Sequence, residues 1–283
     1  MIKKEIIIIL VLVSLEAFIH CDNPVILHPI VKELGNDWFE VKASAVIIED
    51  IAPVKAKKIA IGKAYNAAIE YYSGVEVSGR NIYIHVEDNE KILIDQLSKL
   101  VKQTSAGIIL EKELLDESTE IVGNNFYKIV TMKIKVGKQT GETDLNFNIH
   151  AELNKEYFKE GESLKLSVIP SIDCYLIIIN IMSDENVATI FPNEFRKDNF
   201  VKANQEFILP NEEDNLNEIS FELGLLPGSV EDTEFIKIIA SKKPINFSIN
   251  SNYRSAFESL QNWLVTIPLN EIAEVDLQYV IYK

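Results

Sequence analysis

Hydrophobic positions in the first half of the chain switch between strand spacing and helix spacing. WFEVKASAVII (38–48) is rich in β-branched and aromatic residues, which is typical of a strand. Pro53 then opens a helix, and Gly74 ends it. The apolar positions between them recur every three or four residues, at Ile61, Ala64, Tyr65, Ala68 and Tyr72.

The same pattern is repeated further along. GRNIYIHV (79–86) predicts a strand, and the residues after it predict a helix with one apolar face, opened by Asp88 or Asn89. Two more strands, around IILEKELL (108–115) and FYKIVTMKIKV (126–136), are joined by a turn at Gly123. The last strand alternates apolar residues with Thr or Lys, so we expect a sheet that helices cover on one side.

The second half is built mainly from short β-rich runs separated by turn residues. The runs are LNFNIHAEL, SLKLSVIP, CYLIIINI, NVATIFP, EFILP, ISFEL and EFIKIIAS. Regular spacing of this kind predicts a β-sandwich. Both faces of CYLIIINI (174–181) are apolar, which predicts a central strand buried on two sides. A helix in NYRSAFESLQNWLVTI and a final strand, EVDLQYVIYK, follow.

These patterns predict an α+β protein, with an N-terminal helix-covered sheet domain and then a mostly antiparallel β-sandwich domain. The predicted boundaries are a signal peptide (1–20), a lead-in (21–37), the α+β domain (38–137), a linker (138–145) and the β-sandwich domain (146–283). Because GKQTGETD (137–144) is polar and the periodicity changes across it, we expect two separate cores. The final strand, around Tyr279, either closes an edge of the sandwich or pairs with the first domain.

The first residues form a secretion signal pattern. Lys3 and Lys4 precede an apolar run from Ile6 to Val13, which is too short to span a bilayer. The chain is therefore expected to be exported, to the periplasm or the outer membrane. Two ways of processing stay open, which are lipid attachment at Cys21 and cleavage after Ala17.

Composition narrows the choice of partners. The formal net charge is −15, which opposes binding to phosphate backbones, so no nucleic-acid partner is expected. The membrane is expected as a partner only through the lipid anchor. Two cysteines, Cys21 and Cys174, are too few for a disulfide framework.

The N-terminal half resembles a known assembly module. KIAIGKAYNAAIEYYSGVEV (58–77), SAGII (105–109) and NFYKIVTMKIKV (125–136) are similar to the N-terminal domain of the flagellar assembly protein T. They are also similar to small bacterial surface lipoproteins of that fold. The resemblance implies a periplasmic or outer-membrane protein that acts by assembly and not by catalysis.

The C-terminal half resembles domain of unknown function 4384. The matching features, across residues 164–245, are a Tyr-containing strand, a hairpin, Phe-Pro-Asn, Leu-Pro and a late Ala-Ser-Lys-Lys-Pro segment. Asn186 stands where a glycine is usual in the hairpin. The resemblance implies export and a modular envelope architecture, with no established reaction.

Candidate chemistry is sparse in the sequence. A pair of Cys174 and His150 could act as a nucleophile, but a cysteine in an apolar strand is more often packing. The acidic run NEEDNLNE (211–218) lacks the glycine of a calcium loop, which favours a solvated loop. His85 is read as structural, and three aromatic residues are read as core in preference to a sugar site: Phe200, Phe207 and Trp263.

We therefore predict no catalytic residues, no cofactor and no metal ligand, and the chain is not expected to be an enzyme. The predicted function is that of a bacterial cell-envelope protein that acts as an assembly or protein-interaction module. Its expected partner is another envelope protein. The alternative is a module that binds peptidoglycan or glycan through loops at one end of the sandwich.

Overall fold

A computed structural model of the chain describes residues 28–48, 51–74, 107–217 and 219–283. The predicted signal peptide, Cys21, the predicted strand and helix over 79–104, and His85 lie outside the described residues.

The N-terminal sheet contains four described strands. They are β1 (Ile30–Gly35), β2 (Trp38–Ile47), β3 (Ile108–Val122) and β4 (Asn125–Gly137). Their order is β1-β2-β4-β3, and each pair is antiparallel. β1 lies within the predicted lead-in (21–37) and is a strand that local spacing does not predict. It turns into β2 through Asn36 and Asp37, whose φ angles of 52° and 62° suit the tight turn of a hairpin.

Helix α1 (Pro53–Ser73) covers one face of this sheet and contacts β2 and β4. Proline occupies its first turn, where a missing N–H costs nothing. Gly74 ends it in the left-handed conformation (φ 64°), and its N–H donates to Glu70 O at 3.1 Å. The predicted alternation is confirmed in β4, where Val130, Met132, Ile134 and Val136 are buried.

The C-terminal half contains two further sheets. Their strands are β5 (Ile149–Leu153), β6 (Tyr157–Lys159), β7 (Leu166–Pro170), β8 (Cys174–Ile181), β9 (Val187–Phe191), β10 (Phe200–Val201), β11 (Phe207–Leu209), β12 (Glu231–Ser241) and β13 (Ile272–Tyr282). The helical elements are α2 (Glu212–Leu216), α3 (Ala256–Leu264) and a 3₁₀ turn at Leu269–Glu271. This half is therefore rich in strands, as predicted.

The small sheet has the order β11-β7-β5, and the large sheet has the order β10-β8-β12-β13-β6, with β9 also paired to β8. All pairs are antiparallel except β13 with β6. β13 therefore belongs to the large sheet, between β12 and β6, and not at an edge. ISFEL was predicted as a strand, but Glu222 in it forms only an isolated bridge with Ser163.

The prediction for β8 is confirmed on both faces. Ile177, Ile179 and Ile181 lie in one buried cluster, which we call the first cluster. Cys174, Leu176 and Ile178 lie in another, the second cluster. β8 therefore separates two cores.

The first cluster joins the two halves of the chain, in contrast to the expectation of separate cores. It combines residues of the N-terminal sheet and α1 with residues of the large sheet and α3, among them Ile134, Ala64, Ile239 and Leu260. The predicted linker is part of the same arrangement, because Gln139 is buried and its Nε2 donates to Ile267 O at 3.0 Å. One face of the large sheet thus shares its core with the N-terminal half.

Polar contacts cross the same boundary. Lys112 on β3 pairs with Glu185 in the β8–β9 turn, at Nζ–Oε1 and Nζ–Oε2 distances of 2.5 and 2.7 Å. Asn262 of α3 donates from Nδ2 to Leu110 O at 2.8 Å, and Arg254 donates from Nη1 to Lys112 O at 2.9 Å. These bonds fix α3 against the edge of β3.

Candidate functional site

Two charged residues interrupt the apolar run of β12. Glu234 and Lys237 lie three residues apart, and since side chains alternate along a strand they point to opposite faces of the large sheet. Both are buried, with 4% and 1% of their surface exposed. Buried charged groups are uncommon and need partners. The residues around Glu234 and those around Lys237 are therefore two candidate sites.

Glu234 sits in a hydrogen-bonded group on the face of the second cluster. It is opposite Tyr279 in the β12–β13 pairing, and the tyrosine hydroxyl donates to its Oε2 at 2.6 Å. Asn180 of β8 donates from Nδ2 to the same oxygen at 2.8 Å. The hydroxyl also lies 3.0 Å from Asn180 Oδ1, so three neighbouring strands each supply one member.

The pKa of Glu234 is raised above its ordinary value. Burial is the main cause, and the nearby carboxylates of Asp232 and Asp184 add to it, while the two donated hydrogen bonds act in the opposite direction. The pKa of Tyr279 is also raised, first by burial and then by the charge on Glu234. The group therefore favours the protonated form of the acid.

Asp232 extends this group towards the start of β12. Its Oδ2 accepts from the backbone N–H of Leu226 at 2.6 Å, and its Oδ1 accepts from the hydroxyl of Ser183 at 3.1 Å. The aspartate thus ties the β8–β9 turn and the loop before β12 together.

Lys237 lies on the face of the first cluster. Its Nζ is 2.7 Å from Glu274 Oε2 and 3.0 Å from Asp276 Oδ1, both on β13. Burial lowers the pKa of the lysine, but the two carboxylates outweigh burial, so its pKa is raised above its ordinary value. The ammonium group remains charged and holds two acidic residues inside the protein.

A groove of about 580 Å³ runs between β5 and β13. Its lining comes from Ala151 to Leu153, Glu156, Tyr157 and Asp276 to Val280. Tyr279 is among these residues, so the Glu234 group lies next to the groove. Glu152, Glu156 and Tyr157 are exposed. This groove is the candidate binding site.

A second polar group joins the turns after β9 and β11. The guanidinium of Arg196 packs against both of the adjacent rings of Phe191 and Phe207, 5.2 and 4.7 Å from their centroids. Its Nη1 donates to Asp214 Oδ2 at 2.7 Å. Asp214 and Asn211 also form a capping box at the start of α2. The Phe-Pro-Asn and Leu-Pro motifs thus meet around one arginine and support the fold.

Cys174 and His150 are not brought together as a catalytic pair. Cys174 is fully buried, and burial, with a smaller effect of Asp173, raises the pKa of its thiol to about 12. His150 is on the exposed side of β5, where its Nε2 lies 3.1 Å from Glu152 Oε1. The interpretation of Cys174 as core packing is confirmed.

Most of the acidic run is exposed, as expected, but it is partly helical and Asp214 is buried, so the prediction of a loop needs correction. Residues 212–216 form α2, and Asp214 is 1% exposed because it binds Arg196 and the helix N-terminus. Across the described ranges, no group of three or more His, Cys, Asp or Glu residues is placed to hold a metal ion.

The three aromatic residues differ in their surroundings. Phe207 is buried in the second cluster, and Trp263 packs partly buried against the first, 5.1 Å from the ring of Phe247. Phe200 is 42% exposed and lies edge-on to Tyr175, with ring centroids 5.3 Å apart. The core interpretation therefore applies to Phe207 and Trp263 but not to Phe200.

Sequence reasoning missed Glu234, Lys237 and Tyr279. The available signal was a charged residue on each face of an otherwise apolar strand, in EFIKIIAS. Such a residue must find partners on neighbouring strands. The identity of those partners depends on the β12–β13 register, which local spacing does not give.

Comparison with known proteins supports one of the two resemblances. Residues 157–244 match the family model described as a domain of unknown function, DUF4384. This range begins at β6 and ends after β12, so it includes the Arg196 group but not β5 or β13. No curated protein matches the chain. The similarity of the N-terminal half to the flagellar assembly protein T stays a prediction.

Proposed function

We propose that the chain is an exported bacterial cell-envelope protein that acts without catalysis, as an assembly or protein-interaction module. The observation that carries the proposal is the open groove between β5 and β13, with the edge of the small sheet along it. Edge strands readily pair with segments of other proteins.

The buried polar groups fit this proposal. Glu234, Lys237 and Arg196 each contact partners from other strands or turns of the same half. Their interactions join parts of the C-terminal half, whereas the groove is open to a partner. The proposal includes a sandwich formed by the large and small sheets, since both contribute to the second cluster.

Export is the second part of the proposal and rests on the leader pattern of the first residues. We place the protein in the periplasm or at the outer membrane, with lipid attachment at Cys21 as the proposed route to a membrane. None of the helices in the described residues is long and apolar enough to cross a bilayer. The similarity of the N-terminal half to an assembly module is consistent with this role.

The test is fractionation followed by crosslinking and mass spectrometry in intact cells. We expect the protein in the envelope fraction, with reproducible crosslinks to an envelope protein. A cytosolic location, or a protein that gives no crosslink to any envelope partner, would contradict the proposal.

A second candidate function is a module that binds peptidoglycan or glycan, and one observation favours it. The exposed ring of Phe200 stands beside Tyr175, and aromatic faces commonly bind sugars. Sedimentation with purified cell wall distinguishes the candidates. A glycan binder should pellet, and the Phe200→Ala variant should stay in the supernatant, whereas an assembly protein should stay there in both forms.

A further inference from the structure

β5 has a backbone edge that faces away from its strand neighbour. In its pairing with β7, Ser171 N–H donates to Asn148 O, and Asn154 N–H donates to Lys165 O. Backbone groups alternate in direction along a strand, so the even-numbered residues point to β7. Ala151 and Leu153 therefore point their N–H and C=O to the opposite edge. Among the described strands, none pairs with β5 on that edge.

The edge of β5 borders the groove. Ala151, Glu152 and Leu153 line one wall, and β13 lines the other from Asp276 to Val280. An unpaired strand edge beside an open groove has the geometry for strand addition, in which an extended peptide pairs through its main chain.

The side chains of β5 alternate between a buried and an exposed face. Ile149, Ala151 and Leu153 are partly buried against the second cluster, while His150 and Glu152 are exposed. A strand paired with β5 would alternate in the same way, since paired residues share a face. One face of its side chains would meet the second cluster, and the other would lie beside Glu152.

The charge of the groove determines which side-chain charge is favoured on the face of the added strand that lies beside Glu152. Glu152 and Glu156 are exposed carboxylates in the lining, and none of the lining residues is Lys or Arg. The chain as a whole carries a net charge of −15. Cross-strand pairs of opposite charge are favourable, whereas an acidic strand would be repelled.

We propose that this groove binds an extended basic segment of a partner protein, added as a strand to the free edge of β5. Its sequence alternates small apolar residues with Lys or Arg. The apolar residues pack on the second cluster, and the basic residues pair with Glu152 and Glu156. This inference rests on the proposed interaction function and gives it a site and a partner chemistry.

The test uses the full chain and a fluorescent peptide, Val-Lys-Val-Lys-Val-Lys-Val, with binding followed by anisotropy at physiological salt. We expect saturable binding and no comparable binding of Val-Glu-Val-Glu-Val-Glu-Val. Two further peptides carry N-methyl groups, one on the valines and one on the lysines. One of them should bind at least about tenfold more weakly, because it lacks the N–H groups that pair with β5.

Matched protein variants locate the site. Ala151→Pro removes the outward N–H and keeps the β7 ladder, and binding should weaken about tenfold, while Ala151→Ser keeps the N–H and should bind within about twofold. Glu152→Lys should reduce the preference for the lysine peptide several-fold (about threefold or more), with Glu206→Lys, away from the groove, as the charge control. If Ala151→Pro does not fold, the N-methyl peptides alone test whether binding uses main-chain pairing with β5, because they leave the protein unchanged.

Three results would overturn the inference: equal binding of the lysine and glutamate peptides, no effect of either N-methyl peptide, or no binding of the lysine peptide. The proposed function is judged separately by crosslinking in cells. An envelope partner crosslinked only to residues far from β5 would overturn the groove assignment and leave the interaction function standing.

Discussion

The two faces of the large sheet accommodate a buried ionisable residue in opposite ways. Each buries a charged residue of β12, three positions apart. On the face shared with the N-terminal half, Lys237 keeps its charge because Glu274 and Asp276 surround it. On the other face, Glu234 accepts hydrogen bonds from Asn180 and Tyr279, and no Lys or Arg in the described part of the chain pairs with it. Burial, and then its acidic neighbours, make its charged form less favourable.

The difference shows that burial alone does not set the protonation state. Opposite charges keep a buried ion charged, whereas burial without a counter-charge, together with nearby like charges, favours the neutral form and outweighs the two hydrogen bonds donated to Glu234. Removing one member of the ion group around Lys237 should therefore lower the free energy of unfolding. Replacing Glu234 by a neutral residue should not lower it. The predictions below test this contrast, from the largest expected effect to the smallest.

Replacing Lys237 should have the largest effect. Lys237→Met removes the buried cation that pairs with Glu274 and Asp276, and we expect a loss of about 3 to 5 kcal/mol in the free energy of unfolding. Urea denaturation measures it. The triple variant with Lys237→Met, Glu274→Gln and Asp276→Asn is the control, and it should recover most of the loss. A loss below about 1 kcal/mol in the single variant would show that the lysine is not needed there.

The sharing of the first cluster can be tested with two adjacent residues of β8. Ile178 and Ile179 are both fully buried, on opposite faces, so each change to Ala should cost about 2 to 5 kcal/mol. Hydrogen exchange should distinguish them. We expect Ile179→Ala to speed exchange in β4 and α1, and Ile178→Ala to leave these amides near the wild-type rate. Equal acceleration by both would argue that the two clusters are not distinct units of stability.

Glu234 predicts a dependence of stability on pH. Its pKa is raised from an ordinary value of 4.5, so the folded state retains this proton when the unfolded state has lost it. Its contribution to stability is therefore present at low pH and is lost as pH rises above the ordinary range through the raised pKa. Glu234→Gln should remove this dependence and be at least as stable as wild type at neutral pH. Urea titrations from pH 4 to 8 that give parallel curves for both proteins would contradict the prediction.

The ion pair across the two halves should have the smallest effect. Lys112 and Glu185 are partly exposed, with 18% and 31% of their side-chain surface accessible, so solvent screens the pair. A double-mutant cycle with Lys112→Met and Glu185→Gln should give a coupling of about 0.2 to 1 kcal/mol. A coupling clearly above about 1 kcal/mol would contradict the prediction and show that solvent does not screen this pair.

Local patterns were sufficient where burial follows strand or helix spacing. β8 was assigned two buried faces because both sets of alternate residues are apolar, and α1 was bounded by Pro53 and Gly74. β1 was missed because charged residues interrupt its apolar positions. α2 was missed although Asn211 and Asp214 have the spacing of a capping box, a signal that was present in the sequence.

The candidate site was harder to predict because its members are distant in the chain. Tyr279 meets Glu234 and Asn180 only through the pairing of β13 with β12 and of β12 with β8. The groove depends in the same way on the approach of β13 to β5. Neither follows from the spacing within one strand, since register and strand order are set by packing of the whole sheet.

The position of β13 also bears on when the C-terminal half can fold. β13 pairs on one side with β12 and on the other with β6, which precedes it by most of that half of the chain. The large sheet thus cannot be completed until nearly all of its sequence has left the ribosome, and contacts this distant form slowly. The proposed export through a membrane is consistent with this delay, because the large sheet cannot close before β13 has been transported.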